Sequence, residues 1–212
     1  MKKKDIVSII QNTATFTNPI IELEQYCIDA SSAVDLIYFA GFEFNDIKNH
    51  IIFDLGAGTG RLSIASALFG AHSVLSVDID WSTLLILREN IINLELDHII
   101  FPVCSDLNNF EVSEFFVENN KNITSVMNPP FGVKTRAADR IFLQKAFSFS
   151  NVVYSIHLAG EKNRKFISHF IKESSWKIDN IIAFNMILER SYPFHNQKVK
   201  KIKVDIYRFI KK

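Results

Sequence analysis

Hydrophobic and polar positions along the chain follow two patterns that alternate. Short apolar runs rich in β-branched residues predict strands at 50–55, 72–78, 98–103, 122–127, 151–157, 176–188 and 198–210. Apolar residues at helical spacing predict helices at 61–71, 81–96, 138–150 and 161–174. Strands that alternate with helices are typical of βαβ units. The pattern therefore predicts an α/β fold with a doubly wound, mostly parallel sheet that ends in an antiparallel pair.

The length of 212 residues suits one domain over 1–212 better than two small ones. Residues 1–49 lack a strand pattern, and we expect this helical and irregular segment to cover the functional edge of the sheet. No apolar run approaches the roughly 20 residues that span a membrane, and no signal-peptide pattern follows the basic start. Cys27 and Cys104 lack metal-ligand spacing, so we expect no metal site, no structural disulfide and a cytoplasmic location.

A glycine-rich turn lies where the first predicted strand meets its helix. Residues 54–60 read DLGAGTG, and Gly56, Gly58 and Gly60 lack the Cβ that would keep a ligand away from the backbone. Open α/β sheets bind ligands at the carboxyl ends of their strands. The spacing G-x-G-x-G differs from the G-x-G-x-x-G of dinucleotide sites. A plain tight turn is the alternative interpretation.

Acidic residues accompany three successive strand ends. Asp54 precedes the glycines, Asp78 ends the second strand, and Asp106 follows the third. A carboxylate at Asp54 would repel a pyrophosphate, but it suits a ligand with a positive amino group or sulfonium. Asp78 could accept from both hydroxyls of a ribose and Asp106 from an adenine amine, and such a ligand is S-adenosylmethionine. For Asp78 and Asp106 taken singly, the alternative is a helix N-cap.

The fourth predicted strand ends in Asn128-Pro129-Pro130-Phe131 at the same edge. The Asn128 side-chain oxygen and the Pro129 carbonyl oxygen can accept both hydrogens of one planar amine, which localises electron density on its nitrogen. Phe131 offers a face on which a flat target can stack, and the prolines restrict the loop. Because a base inside a duplex could not reach this loop, the target must be unpaired or flipped out. A rigid turn without chemistry is the alternative.

These four residues resemble the (D/N)PP(F/Y/W) motif of amino-group methyltransferases with the class I, S-adenosylmethionine-dependent, Rossmann-like fold. Further segments resemble the methyltransferase-like 5 family over about residues 20 to 210: LEQY (23–26), DLGAGTGRLSIASALFGA (54–71), VDID (77–80), NPPFGVK (128–134), VVYSIH (152–157), YPFH (192–195) and VDIYRF (204–209). The resemblance implies a seven-stranded sheet with an antiparallel C-terminal strand. It also implies methylation of N6 of an adenosine in small-subunit ribosomal RNA.

The resemblance further implies which residues form the site. The implied cofactor-binding residues are Gln25, Tyr26, Ile28, Asp54, Gly56, Gly58, Thr59, Gly60, Arg61, Asp78, Ile79, Asp106, Leu107 and Asn128. The implied catalytic loop is Asn128, Pro129, Pro130 and Phe131. After LEQY the family usually continues Pro-Thr, and its threonine helps to hold the cofactor, whereas this chain has Cys27-Ile28. In eukaryotes the family works with a small zinc-binding activator subunit that pairs with its sheet edge, so such a partner is expected here.

Basic residues are unevenly placed although the net charge is only +1. Residues 197–212 carry seven Lys or Arg against one acid, Asp205, and four more basic residues follow the proline loop: Lys134, Arg136, Arg140 and Lys145. They predict a rim that contacts RNA phosphates, with a solvated strand face as the alternative. His157 and His195 lack ligand-like spacing, and we expect them to pack or to contact RNA.

Other functions compete with RNA methylation. A glutamine side-chain amide also presents a planar NH₂, but enzymes that methylate it more often carry Tyr where this chain has Phe131, and they lack the basic tail. DNA adenine methylation is disfavoured because no separate target-recognition domain fits in 212 residues. A non-catalytic RNA-binding or assembly protein is the remaining alternative, and the intact acids and proline loop oppose it.

Overall fold

The computed structural model describes residues 1–120, 122–132, 138–172, 174–189 and 199–212, and within them helices and strands alternate as predicted. The helices are α1 (Lys3–Gln11), α2 (Ala30–Tyr38), α3 (Arg61–Leu68), α4 (Trp81–Asn93), α5 (Glu114–Asn119), α6 (Ala138–Phe149) and α7 (Glu161–Lys172), and a π-helical turn, Phe39–Glu43, follows α2. The strands are β1 (Ile51–Leu55), β2 (Ser73–Asp78), β3 (Ile100–Cys104), β4 (Ile123–Met127), β5 (Val152–Leu158), β6 (Trp176–Glu189) and β7 (Val199–Lys211). Helix α5 is absent from the sequence prediction because six residues are too few to show a helical period.

The strands form one seven-stranded sheet in the order β3-β2-β1-β4-β5-β7-β6. Neighbouring strands among β1–β5 pair in parallel. Only β7 runs the other way, since it pairs antiparallel with both β5 and β6. This arrangement confirms the predicted α/β class, the doubly wound sheet and its antiparallel C-terminal strand.

Helices cover both faces of the sheet. Residues of α1, α2, α3 and α4 pack into one core cluster, which includes Ile10, Leu36 and Ile64. Residues of α6 and α7 pack into a second cluster on the other face, with Phe116 and Val117 of α5 against it. Because both faces are covered, strand β4 is buried at every position from Ile123 to Met127.

The sheet reverses its winding between β1 and β4. These two strands are neighbours in space, with Leu55 paired to Met127, although the chain visits β2 and β3 between them. The glycine turn after β1 and the proline loop after β4 therefore leave the same edge side by side. Crevices at such switch points are the usual ligand sites of open α/β sheets.

Gly60 begins α3 and illustrates why the glycine turn tolerates little change. Its φ is +91°, and a Cβ added there would lie 2.1 Å from Cδ1 of Leu87 on α4. Gly60 thus serves the packing of α3 against α4. Gly56, with φ of +71°, faces Phe142 of α6 instead, whose Cε1 would be 2.8 Å from an added Cβ.

The last two strands extend beyond the rest of the sheet. The pairing of β5 with β7 ends at Leu158 and Val204, whereas β6 and β7 remain paired as far as Glu189 and Val199. Residues 185–189 and 199–203 thus form a ribbon on the same edge as the proline loop. Several residues for which the sequence predicts a role lie outside the described residues: Lys134, Arg136, Lys198, and His195 with its YPFH segment. Among the described residues, no helix has the length and apolar character needed to cross a membrane.

Candidate active site

A cavity of 270 Å³ opens at the switch point. Most of the residues predicted for the site line it: Gln25, Tyr26, Ile28, Gly56, Gly58, Thr59, Arg61, Asp78, Ile79, Asp106, Leu107, Asn128 and Pro130. They come from the N-terminal segment and from the ends of four strands. Asp54, Gly60, Pro129 and Phe131 are not among the lining residues.

The N-terminal segment that lines the cavity is held by hydrogen bonds at both ends. Gln25 Oε1 accepts from the Ile20 N–H at 2.7 Å, and Gln25 Nε2 donates to Asp80 Oδ2 at 2.8 Å. Arg61 Nη1 donates to the Ile28 carbonyl oxygen at 2.7 Å. The segment is therefore tied to the first turns of α3 and α4, while α1 and α2 pack on the face of the sheet.

Cys27 and Ile28 stand in this segment where the resemblance described above implies Pro-Thr. Both residues are buried and both line the cavity. Cys27 Sγ lies 3.5 Å from the hydroxyl oxygen of Thr59 in the glycine turn. The departure from the family pattern is thus located in the wall of the cavity.

Asp78 presents a carboxylate at the cavity wall, and it does not cap a helix. Its Oδ2 accepts from the Gly58 N–H at 2.8 Å, and its Oδ1 accepts from the Asp80 N–H at 2.9 Å. Burial raises the pKa of Asp78 above its ordinary value of 3.8. The N-cap of α4 is Asp80, whose side chain accepts from Ser82 N. The N-cap alternative for Asp78 is therefore wrong.

Asp80 is more acidic than Asp78 because it has more donors. Partial burial alone would raise its pKa, but hydrogen bonds from Gln25, Thr83 and Ser82 lower the pKa to about 2. Asp80 thus remains charged and holds both the start of α4 and the N-terminal segment.

Asp106 forms a turn of its own at the cavity wall. Its Oδ1 accepts from the backbone N–H and from the side-chain amide of Asn108, each at 2.9 Å. The following helix, α5, is capped by Ser113. The N-cap alternative for Asp106 is therefore also wrong, and Asp106 and Leu107 lie beside the cavity through this turn.

Asp54 lies below the glycine turn. It is fully buried, its Oδ2 accepts from the Ser63 hydroxyl at 2.6 Å, and its Oδ1 has no hydrogen-bond partner among the described residues. Burial raises the pKa of Asp54 to about 7. The sequence predicts a direct electrostatic contact between Asp54 and a cationic ligand. The position of the carboxyl does not fit such a contact, because the side chain is buried beneath the glycine turn and does not line the cavity.

The raised pKa of Asp54 predicts a pH-dependent stability. Between the unfolded value of 3.8 and the folded value of about 7, the folded carboxyl keeps a proton that the unfolded one has lost. The free energy of unfolding should therefore fall with rising pH in this window, by up to roughly 1.4 kcal/mol per pH unit. Urea denaturation at several pH values should show that Asp54→Asn reduces this slope, to which Asp78 with its raised pKa also contributes. The exposed Asp97→Asn is the control, and an unchanged slope in Asp54→Asn would contradict the burial argument.

The proline loop follows β4 directly into the cavity. Asn128 and Pro130 line the cavity, and the ring of Phe131 packs against the ring of Tyr26. Asn128 Oδ1 accepts a hydrogen bond of 3.4 Å from the Tyr26 hydroxyl. The loop thus presents an amide oxygen and an aromatic ring beside the cavity that the glycine turn and Asp78 line.

His157 lies at the end of β5 and is buried away from the cavity lining. Its Nε2 is 2.8 Å from the Ser155 hydroxyl oxygen, and its Nδ1 is 3.5 Å from Asp139 Oδ2 in the first turn of α6. Its ring also packs edge-on against Tyr207. His157 therefore has a packing role, which is one of the two roles, packing or RNA contact, that the sequence predicts for it.

Several lining residues carry no sequence signal. Phe16 precedes the LEQY segment, and its ring lies against Gly58, while Ile141 and Phe142 come from α6. Ile141 and Phe142 belong to an ordinary amphipathic helix pattern, and Phe16 lies in an irregular segment. Only the tertiary fold brings them to the cavity.

Comparison with known proteins places these features in a wider group. The profile of the ribosomal protein L11 methyltransferase (PrmA) family matches residues 27–119. That range contains the glycine turn, Asp78 and Asp106, and it ends before the proline loop. The match therefore concerns the part of the cavity built by β1 to β3.

Full-length relatives align over nearly the whole chain, including the part that carries the proline loop. The rRNA N(6)-adenosine-methyltransferase METTL5 of Danio rerio is 35% identical over 214 residues, with 99% of this chain and 99% of that protein aligned. An uncharacterized protein of Methanocaldococcus jannaschii is 34% identical over 217 residues, with 100% and 95% aligned. The crystal structure of a candidate RNA methyltransferase of Pyrococcus horikoshii aligns with a TM-score of 0.87 at 34% identity, covering 100% of this chain and 98% of that one.

Proposed function

This chain belongs to the methyltransferase-like 5 family, and we propose that it transfers the methyl group of S-adenosylmethionine to N6 of an unpaired adenosine in small-subunit ribosomal RNA. The observation that carries the proposal is the juxtaposition of two loops at one cavity. Asn128 and Pro130 line the same cavity as Gly56, Gly58 and Asp78. A donor bound on the glycine turn would therefore lie beside a target bound on the proline loop.

The described residues fit S-adenosylmethionine chemically. The cavity has an apolar lining with a few convergent polar groups, as cofactor sites do. We assign the ribose hydroxyls to Asp78, whose carboxylate oxygens each receive one backbone N–H and retain further acceptor capacity. Asp106 and Leu107 would hold the adenine, and the methionine end would lie near the glycine turn and the N-terminal segment, with Gln25, Tyr26, Ile28, Thr59, Arg61 and Ile79 completing the wall. When bound, the cofactor supplies an activated methyl group.

The proline loop would hold the target amine. Asn128 Oδ1 and the Pro129 carbonyl oxygen would accept its two hydrogens, which counters delocalisation of the nitrogen lone pair into the base. Phe131 would stack on the base, a contact worth roughly 1–3 kcal/mol. Pro129 and Pro130 keep the acceptors in place, so that little orientation is lost on binding. No strong base is required, because the proton can leave to water after transfer.

A glutamine amide would also fit the two acceptors of the proline loop. An assay with small-subunit RNA therefore tests whether adenosine is the substrate. Protein and isotope-labelled S-adenosylmethionine are incubated with small-subunit RNA, which is then digested to nucleosides. We expect the label in N6-methyladenosine, and less of it when a complementary strand pairs with the RNA. No transfer to RNA, or label in a nucleoside other than N6-methyladenosine, would contradict the proposal.

The ribbon of β6 and β7 supplies exposed positive charge on the edge that carries the proline loop. Lys201 and Lys203 are exposed and, by strand alternation, share a face with Asp205, which pairs with Arg164 of α7 at 2.7 Å. The side chain of Lys200, which was also predicted to contact RNA, lies outside the described residues. We propose that Lys201 and Lys203 contact RNA phosphates.

Neutralising these lysines should weaken RNA binding without changing turnover at saturating RNA. Each lost phosphate contact lowers the salt slope by about 0.7 on single strands, so Lys201→Gln/Lys203→Gln should bind more weakly with a flatter slope. Affinity measured at several salt concentrations tests this. The matched control is Lys177→Gln/Lys211→Gln at the opposite end of the same strands. An unchanged slope in the ribbon variant would mean that these lysines only solvate the strand.

We also propose that the zinc-binding activator subunit pairs with the β3 edge. β3 ends the sheet, and Phe101 on it is 46% exposed. The opposite edge strand, β6, exposes mostly polar residues such as Lys177, Asp179 and Asn185, which protect an edge from pairing. β3 carries Pro102, which lacks one N–H donor, but its exposed apolar residue Phe101 suits a partner strand better than the polar β6 edge does.

An edge variant tests this assignment. Phe101→Asp should abolish co-purification with the zinc-binding subunit, measured as the loss of zinc bound to the isolated complex. Ile181→Asp on β6, where Ile181 is also exposed, is the matched control. Retention of the subunit by Phe101→Asp would place its binding elsewhere.

Both cysteines are free thiols, which supports the proposed cytoplasmic location.

A further inference from the structure

Tyr26 occupies the two groups that the target base would use. Its ring centroid is 5.3 Å from that of Phe131, with the planes at 27°. Its hydroxyl donates to Asn128 Oδ1 at 3.4 Å. The phenol therefore combines a flat ring on Phe131 with a polar hydrogen on Asn128, which is the combination that an adenine with its amine would present.

The two rings leave no space for a base between them. Stacked aromatic groups keep their planes about 3.5 Å apart, so a base between two rings would separate them by about 7 Å. The observed separation of 5.3 Å belongs to a direct contact. A base that stacks on this face of Phe131 must therefore displace Tyr26.

The backbone on both sides of Tyr26 is held in place. Gln25 is bonded to Ile20 and Asp80, and the Ile28 carbonyl accepts from Arg61. These bonds do not involve the Tyr26 ring. Displacement of the ring from Phe131 therefore leaves these three bonds of the segment intact.

We propose that Tyr26 is a placeholder for the target base: it stacks on Phe131 and bonds Asn128 in the RNA-free enzyme, and an entering adenosine displaces it. The inference rests on the proposed function of the proline loop. Tyr26 offers Asn128 one hydrogen, whereas the adenine amine offers two to the loop. A base without that amine gains less on replacing the ring, so the placeholder acts as a specificity-determining residue.

Removing the placeholder should strengthen target binding. With protein saturated in the demethylated cofactor, Tyr26→Ala is expected to bind both small-subunit RNA and adenosine 5′-monophosphate about 5- to 30-fold more tightly than the wild type. Tyr26→Phe, which loses the hydroxyl and keeps the ring, should lie between them. Calorimetry or fluorescence anisotropy gives the dissociation constants, and a damaged fold would not produce a gain in affinity.

The control is Tyr38→Ala. Tyr38 also stacks on a phenylalanine, Phe42, at 5.1 Å, but it lies outside the cavity lining, and its replacement should leave both affinities unchanged. Weaker or equal binding by Tyr26→Ala would overturn the placeholder and would show that the ring supports the target. Methylation of RNA by the wild type is measured separately: its absence would overturn the proposed function, whereas the affinity ratio alone decides the role of Tyr26.

Discussion

Replacing Asn128 with alanine is expected to reduce methyl transfer by about 100- to 1,000-fold, the usual cost of removing one placed hydrogen-bonding group from a reacting centre. The amide oxygen would act on the target amine, so cofactor affinity should change little. Single-turnover rates with labelled cofactor and calorimetry of cofactor binding separate the two effects.

The conservative control keeps an acceptor at the same place. Asn128→Asp places a carboxylate oxygen where the amide oxygen lies, and we expect this variant to keep more activity than the alanine variant. Wild-type turnover in Asn128→Ala would show that the loop does not act on the amine through this side chain. The mechanism described for the proline loop would then be wrong.

Asp78→Asn is expected to weaken cofactor binding by about 10- to 100-fold, because hydrogen bonds to a charged group contribute roughly 1.5–3 kcal/mol. Asparagine preserves the size of the side chain, so the contacts with Gly58 and Asp80 are disturbed less than they would be by alanine. Calorimetry on folded protein measures the effect. Unchanged cofactor affinity would remove the ribose assignment.

The pH dependence of binding gives an independent check on Asp78. Burial raises its pKa, and a protonated carboxyl has lost acceptor capacity. Cofactor affinity of the wild type should therefore weaken as the pH falls toward that raised pKa, whereas Asp78→Asn should lack this dependence. Asp80→Asn serves as a control, since Asp80 holds the start of α4 and Gln25 and should affect stability more than affinity.

The parts of the site that could be predicted from the sequence are those placed by strand ends. In a parallel sheet the carboxyl ends of the strands meet at one edge, so the positions of Asp78, Asp106 and Asn128 follow once β2, β3 and β4 are recognised. All three line one cavity. The sequence leaves a helix N-cap role open for Asp78 and Asp106. The structure excludes it because Asp80 and Ser113 cap the helices that follow.

The direction of a side chain in a doubly covered strand could not be predicted. Residues 52–55 of β1 are all buried, so no alternation of polar and apolar residues shows which face Asp54 takes. Phe16 reaches the cavity through tertiary packing alone. The contact of Tyr26 with Phe131 likewise depends on how the N-terminal segment crosses the sheet edge, which no local pattern encodes.

The position of β7 has a consequence for how the chain matures on the ribosome. β7 is synthesised last, but it lies between β5 and β6 in the sheet. β6 therefore emerges before its neighbour exists, and β5 keeps an open edge that can pair with other chains until the final strand arrives. The Asp29 carboxylate also finds its partner late, since it accepts the backbone N–H of Ile187 on β6 at 2.9 Å across 158 residues. Completion of the sheet thus depends on its last strand in sequence, and a nascent chain halted before β7 is a natural client for chaperones.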